Sequence, residues 1–402
     1  MRYSKLIIIT IIVLLSSFIS VAQQKPTYDE ADIFSYNLYL NGKWKELLDY
    51  GKTSINQGQD FIYLRLRMGY AAFMLQNYSE ALKHYNQILS KDRYNENAHY
   101  YAWACLLYLQ QTEQAYIHVP YFSKQAISTE HIKKSAIREL GLESSYKVTD
   151  VTTRDNSFYN KINLITRLGW KINMEHSFIT YNQNINEKAL INVQNNQQIV
   201  IHQKEYYNKT TFSIDNKLQL KFAFHYIKTP FNSLNTSPFT NIVYENNLAL
   251  IGLKYLGDYF TLQGSFIVGK IIDTTINQFN FQATYFPKGN FNFYGISTLS
   301  IQNRGTVQTP NLQQVIGCKL NKTIWMELNG TFGKFSNYTE NDLLYVYNAI
   351  DENHFKGGMN MYLNFNKNVL THVGYTFEKR KLYNTNILFY QHSINGGITW
   401  KF

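Results

Sequence analysis

The stretch HSINGGITWKF, residues 392–402, decides how the chain is read. His392, Ile394, Gly396, Ile398, Trp400 and Phe402 fall on one face of an extended strand. Ser393, Asn395, Gly397, Thr399 and Lys401 fall on the other, because side chains alternate along a strand. The apolar series runs to the last residue. A strand of this kind needs partners on both edges, since lipid leaves unpaired backbone N–H and C=O groups without hydrogen bonds.

The same alternation recurs upstream. LQLKFAFHY (218–226) sets Leu218, Leu220, Phe222, Phe224 and Tyr226 against Gln219, Lys221 and His225. YFTLQGSFIV (259–268) opposes Phe260, Leu262, Phe266 and Val268 to Thr261, Gln263 and Ser265. NQFNFQATYF (277–286) opposes Phe279, Phe281 and Tyr285 to Gln278, Asn280, Gln282 and Thr284. TIWMELNGTF (323–332) places Glu327, Asn329 and Thr331 on its polar face, and FKGGMNMYLNF (355–365) does the same with Asn360 and Asn364.

Dyad alternation suits a soluble sandwich or a transmembrane barrel with an apolar outside and a polar inside. Three features favour the barrel. The strands run to about ten residues, as a tilted membrane strand requires. Aromatics gather near strand ends. Short turns, at 215–216, 257–258, 288–290 and 366–368, alternate with longer segments at 186–197, 228–241, 303–311 and 335–354. Pro230, Pro238, Pro287 and Pro310 are expected in turns or loops, where no ladder bond is lost. The reading gives about fourteen antiparallel strands over residues 143–402, with 12–16 compatible with the turns; 143–150 is the weakest strand. Ile398, Trp400 and Phe402 resemble the C-terminal signal recognised by the outer-membrane assembly machinery.

Composition agrees. The chain holds 33 Tyr and 26 Phe, and 17% of its residues are charged, against about 25% in soluble domains. Cys105 and Cys318 form no CxxC motif and no disulfide framework. Residues 1–22, with Arg2 and Lys5 before the apolar run Leu6–Leu15 and Ser20-x-Ala22 at the end, read as a signal peptide. The net charge of +11 falls mostly on residues 145–402, which carry 24 Lys+Arg against 15 Asp+Glu. The excess is dispersed, which argues against nucleic acid as a partner.

Residues 23–142 follow a helical period. KWKELLDY, NYSEALKHY and QTEQAYIHV, starting at Lys43, Asn77 and Gln111, recur every 34 residues. Trp44 aligns with Tyr78 and Thr112, and Leu47 with Ala81 and Ala115. That spacing is the tetratricopeptide (TPR) period. The middle copy resembles the TPR motif through small Gly69 and Ala81 and the gap-filling Tyr85. Helices are expected near 28–41, 43–57, 60–75, 78–91, 94–109 and 112–125. A last one, TEHIKKSAIREL, would stop at Gly141 and cap the array. Trp44, Gly69, Ala81, Tyr85 and Ala115 are the expected packing positions.

The whole layout, α-helical TPR repeats followed by a transmembrane antiparallel β-barrel, resembles the exopolysaccharide export porins and the YaiO-type barrels. The resemblance implies a cell outer membrane setting with the N-terminal domain in the periplasm. It implies outer membrane lipids around the barrel, a periplasmic protein partner at the TPR groove, and polysaccharide as a cargo class. The expected lumen lining is Gln219, Lys221, His225, Gln263, Gln278, Asn280, Gln282, Glu327 and Asn329, with Asn360, Asn364, His372, Gln391 and Asn395. These are mainly amides, which hydrogen-bond sugar hydroxyls, each other, or water. The functional expectation is a transport or export pore, or part of an envelope assembly. The alternative is a TPR scaffold anchored by a closed barrel, and an outer-membrane enzyme ranks last. No GxSxG, HExxH, metal-spaced histidine pair or dinucleotide motif occurs, so no catalytic, cofactor or metal residue is assigned.

Overall fold

The computed structural model describes residues 26–132, 136–186, 198–233, 241–272, 274–348, 351–366 and 368–402. The signal peptide 1–22, Pro238 and, of the expected long segments, residues 187–197 and 234–240 lie outside the described residues, while 228–233 are strand. The chain divides into two compact units, Met1–Ala71 and Ala72–Phe402.

The helices are α1 (Tyr28–Leu40), α2 (Trp44–Asn56), α3 (Ile62–Met74), α4 (Tyr78–Lys91) and α5 (Glu96–Tyr108), and α1, α4 and α5 start at side-chain caps. Thr27 and Glu30 form a reciprocal capping box. Asn77 and Asn95 accept the amides of Glu80 and Ala98 at 3.1 and 3.0 Å. Each cap satisfies an N–H group that the first helical turn leaves orphaned. In the first unit Trp44 packs edge-on against Tyr39 and Tyr70. In the second, Ala81, Tyr85 and Ala115 are fully buried, and Tyr85 stacks on Tyr101. Gly69 is buried within α3.

The expected helix at 112–125 is shorter. It runs Thr112–Ala115 (α6) and tightens into a 3₁₀ turn, Tyr116–Tyr121, around Pro120. Proline has no N–H to donate to an α-helical ladder. The expected terminal helix at 129–140 is corrected as well. A short α7, Lys124–Thr129, precedes it, and residues from Ile137 onward belong to the first strand. Gly141 faces the lumen between Thr399 and Asn163 instead of ending a helix. Pairing on both edges overrides the local helical pattern of IREL.

Fourteen antiparallel strands close a barrel: β1 (Ile137–Thr149), β2 (Ser157–Leu168), β3 (Ile172–Asn186), β4 (Gln198–Ser213), β5 (Leu218–Ser233), β6 (Asn241–Leu256), β7 (Phe260–Ile271), β8 (Thr274–Tyr285), β9 (Phe293–Arg304), β10 (Val307–Lys319), β11 (Ile324–Phe335), β14 (Glu352–Asn364), β15 (Val369–Lys381) and β16 (Leu388–Lys401). A small hairpin, β12 (Thr339–Glu340) with β13 (Tyr345–Val346), stands apart. The seam pairs β1 with β16, from Glu139 opposite Lys401 to Thr149 opposite Gln391. Strand β1 is therefore what makes the count even and closes the wall.

The outer face is apolar. Ile162, Phe178, Phe222, Ile251, Leu253, Phe281, Leu328 and Val373 are exposed along it. Aromatics mark both ends: Phe260, Tyr285, Phe293 and Trp400 near the short turns, and Tyr146, Phe158 and Tyr390 near the other rim. An apolar belt with aromatic girdles is the exterior of a membrane-spanning barrel.

Two prolines and one loop differ from expectation. Pro230 and Pro310 lie inside β5 and β10. Each sits where one neighbouring ladder is missing: β4 pairs at Ile201–Phe231 and resumes at Lys204–Lys228, and the β10–β11 ladder ends at Leu312–Phe332, short of Pro310. A missing N–H costs nothing there. The supposed loop at 303–311 is strand except for a two-residue turn at Gly305 and Thr306.

Candidate functional site: an occluded lumen

Residues 336–348 lie between β11 and β14 at the long-loop end. They do not project outward as the sequence suggested. They fold into the lumen, carrying the β12–β13 hairpin. Leu343, fully buried, sits in a cluster of Tyr207, Ala223, Ile227, Leu248, Leu250, Ile267, Ile271 and Ile276 from the inner faces of β4–β8. Ile272, Leu344 and Val346 pack against it. The loop thus covers an apolar patch of the lumen wall on β4–β8.

Polar groups grip the rim of this contact. Lys221 Nζ donates to Asp342 Oδ2 at 2.7 Å, and Gln263 Nε2 to Asp342 Oδ1 at 2.6 Å. Tyr207 Oη donates to the Asp342 carbonyl at 3.0 Å. His225 donates from Nδ1 to the Leu343 carbonyl at 2.8 Å, while its Nε2 meets the Glu205 carboxylate at 2.8 Å. Gln278 clamps Thr339 through both amide atoms, accepting its N–H at 3.2 Å and donating to its carbonyl at 2.9 Å. On the other side Lys356 pairs with Glu340 at 2.6 Å, and Lys161 bridges Glu143 and the Tyr345 hydroxyl at 2.7 and 3.0 Å. Asn348 donates to Gln203 and Thr229.

The lumen left beside the loop is a polar cavity of about 600 Å³. Tyr159, Tyr181, Tyr345, Tyr347 and Tyr362 line it together with amides and paired charges. Gln282, Glu327, Asn329, Asn360, His372, Gln391 and Asn395 from the sequence-derived set are in its wall. Glu327 accepts the hydroxyls of Tyr294 and Tyr362. Gln219, Lys221, His225, Gln263 and Gln278 are buried on the loop side of the lumen instead. Asn280 faces inward, donating to Ser265. Among the described residues no group of His, Cys, Asp and Glu is placed to hold a metal.

Sequence reasoning missed Asp342 and Leu343, which sat in a presumed loop. Its signal was the run LLYVY, 343–347, too apolar for a segment facing water.

Helices of the second unit meet the short turns. Ser79 N–H donates to the Gly289 carbonyl at 2.9 Å, and Asn290 Nδ2 to the Gln76 carbonyl at 3.0 Å. Gly289 has φ +63°, and a Cβ there would run into the Asn77 side chain. Asn77 also donates to Tyr259, and Asn216 to Asn86. Lys254, on the inner face of β6, reaches the Gln111 side-chain oxygen at 2.7 Å. Tyr116 is flanked by the guanidiniums of Arg138 and Arg167.

No protein-family model matches the chain, and no curated protein matches it. Among solved structures it is similar to the CymD monoaromatic hydrocarbon channel (TM-score 0.47, 8% identity, covering 67% of this chain and 89% of that one). It is also similar to the Pseudomonas putida toluene transporter TodX (0.47, 8%, 68% and 90%). A Pseudomonas aeruginosa FadL homologue aligns at 0.46 and 7%, covering 71% and 94%. At such identities and scores no cargo carries over to this chain.

Proposed function

We propose that this protein is an outer-membrane conduit whose lumen is held shut by the inserted 336–348 loop. The N-terminal helices, read as TPR-like repeats, lie in the periplasm and dock a protein partner. The observation that carries the reading is the cavity of about 600 Å³ left beside the loop, lined largely by polar side chains inside an apolar-clad barrel. A barrel serving only as an anchor has no need of a cavity walled by tyrosines, amides and paired charges. That wall suits a polar solute rich in hydroxyl or ionic groups. No catalytic group enters the reading.

Planar-bilayer recording tests it. The intact protein is expected to conduct in brief, rare openings. Replacing residues 337–348 by a short Gly-Ser linker is expected to give a steady open level. A loop-shortened barrel that stays silent would support the anchor-and-scaffold alternative and sink the conduit.

A further inference from the structure

The apex of the inserted loop is strained. Asn341, Asp342 and Leu343 are three successive non-glycine residues with φ of +51°, +53° and +76°. An L-residue enters that region only where its surroundings hold it. The grip on Asp342 is a fork for a carboxylate: Lys221 Nζ meets one oxygen and Gln263 Nε2 the other, at 2.7 and 2.6 Å. The two grips are themselves bonded, Lys221 donating to Gln263 Oε1 at 2.6 Å. Both side chains are more than nine-tenths buried.

Other groups around the fork have their own partners, Glu205 meeting His225 at 2.8 Å. Lys209 is answered by Glu175 at 2.9 Å. Lys254 has the neutral amide of Gln111. Lys221 has Asp342. Withdrawing the loop removes that carboxylate and takes from the largely buried Lys221 ammonium its counter-charge, which disfavours withdrawal by itself. A carboxylate arriving from solution presents the same two oxygens and removes the obstacle.

We propose that Lys221 and Gln263 form a binding site for a carboxylate group on the transported solute, and that Asp342 fills it as an internal stand-in. Exchange of one carboxylate for the other then frees the strained apex. The inference rests on the conduit reading, since it places the solute in the lumen.

The probe is glutarate, with the neutral glutaramide beside it. Leu343→Cys, in full-length protein with Cys105 and Cys318 replaced by Ala, reports loop release through alkylation by a maleimide. Labelling is expected to be slow. Millimolar glutarate should raise its rate about tenfold, which requires only a modest shift in the loop equilibrium, and glutaramide should not. Asp342→Asn should label fast without any additive. Lys221→Met should lose the glutarate response. Labelling indifferent to glutarate, or a Lys221→Met protein that responds like its parent, overturns the site. If the loop-shortened barrel conducts while labelling ignores glutarate, the site falls and the conduit stands. If labelling responds and that barrel is silent, the site stands as a binding site and the conduit falls.

Discussion

Arg154 and Asp351 stand 197 positions apart and meet as a two-pronged pair, Nε to Oδ2 at 2.8 Å and Nη2 to Oδ1 at 2.9 Å. Both are almost fully buried. Asp351 also accepts the Tyr383 amide at 3.0 Å. One carboxylate therefore ties the β1–β2 connection, the base of the inserted loop and the β15–β16 connection together.

Breaking that pair from one side should be costly. Asp351→Ala leaves Arg154 buried without its counter-charge and is expected to destabilise the loop end by about 3–5 kcal/mol. The double variant Arg154→Met, Asp351→Leu should cost much less, because no lone charge remains. Proteolysis within the 336–348 loop, followed against urea, measures the difference. Equal losses in both variants would mean that the pair matters only through packing.

The helical region carries an acid sensitivity. His99 donates from Nε2 to the Arg93 carbonyl at 2.9 Å, so its Nδ1 accepts from His118 Nδ1–H at 2.8 Å, with both rings neutral. Burial, and then the neighbouring His99, pushes the His118 pKa down to about 3. Burial lowers that of His99 too. Both folded values lie below the unfolded value of about 6.5. The unfolded chain binds the extra proton first, so stability is complete above pH 6.5 and declines as pH falls toward 3. His118 alone should cost about 2 kcal/mol by pH 5. Protection factors of amides in residues 96–121 of the full chain, taken relative to the intrinsic exchange rate at each pH, should fall at pH 5, and His118→Phe should flatten the response.

Docking of the helices on the short turns depends on one glycine. Gly289→Leu adds a side chain at φ +63° where Asn77 already lies. A cost of about 1–3 kcal/mol to the contact is expected. The Ser79 amide, bonded to the Gly289 carbonyl, should then exchange faster while strand amides of β14–β16 keep their protection. An unchanged Ser79 amide would show that the contact does not rest on this turn.

Phe402 ends the closing strand, and its N–H donates to the Arg138 carbonyl at 2.9 Å. Deleting Phe402 is expected to lower the amount of assembled barrel in cells several-fold while refolding in detergent stays near normal. A loss of equal size in both settings would make Phe402 a seam residue and not an assembly signal.

Local alternation in the sequence was enough to set much of the barrel wall. LQLKFAFHY, NQFNFQATYF and HSINGGITWKF each commit alternate residues to lipid or lumen, and a one-residue slip would invert them. That is why Gln219, Gln278 and Asn329 could be placed on the inner face from their spacing alone. Helix starts near residues 28 and 78 were legible for a similarly local reason, since the helical period repeats within a few residues.

What lay beyond local pattern was decided by partners far away in the chain. The segment IREL reads as helix, yet it becomes β1 because β16 and β2 pair with both of its edges. Pro230 and Pro310 look like loop residues, yet they fit where a neighbouring ladder breaks. The 336–348 loop has too little periodicity to announce its place. Its inward course is fixed by Leu343 against eight side chains from five strands, and by Lys221, Gln263 and Gln278, which are 61–121 positions away from the loop residues they hold. Sequence by itself determined which faces of the strands are apolar, because that depends on neighbours two residues apart. Tertiary structure alone decided that the lumen is occupied and by what, because burying an apolar run and pairing a charge require groups that only the closed wall brings together.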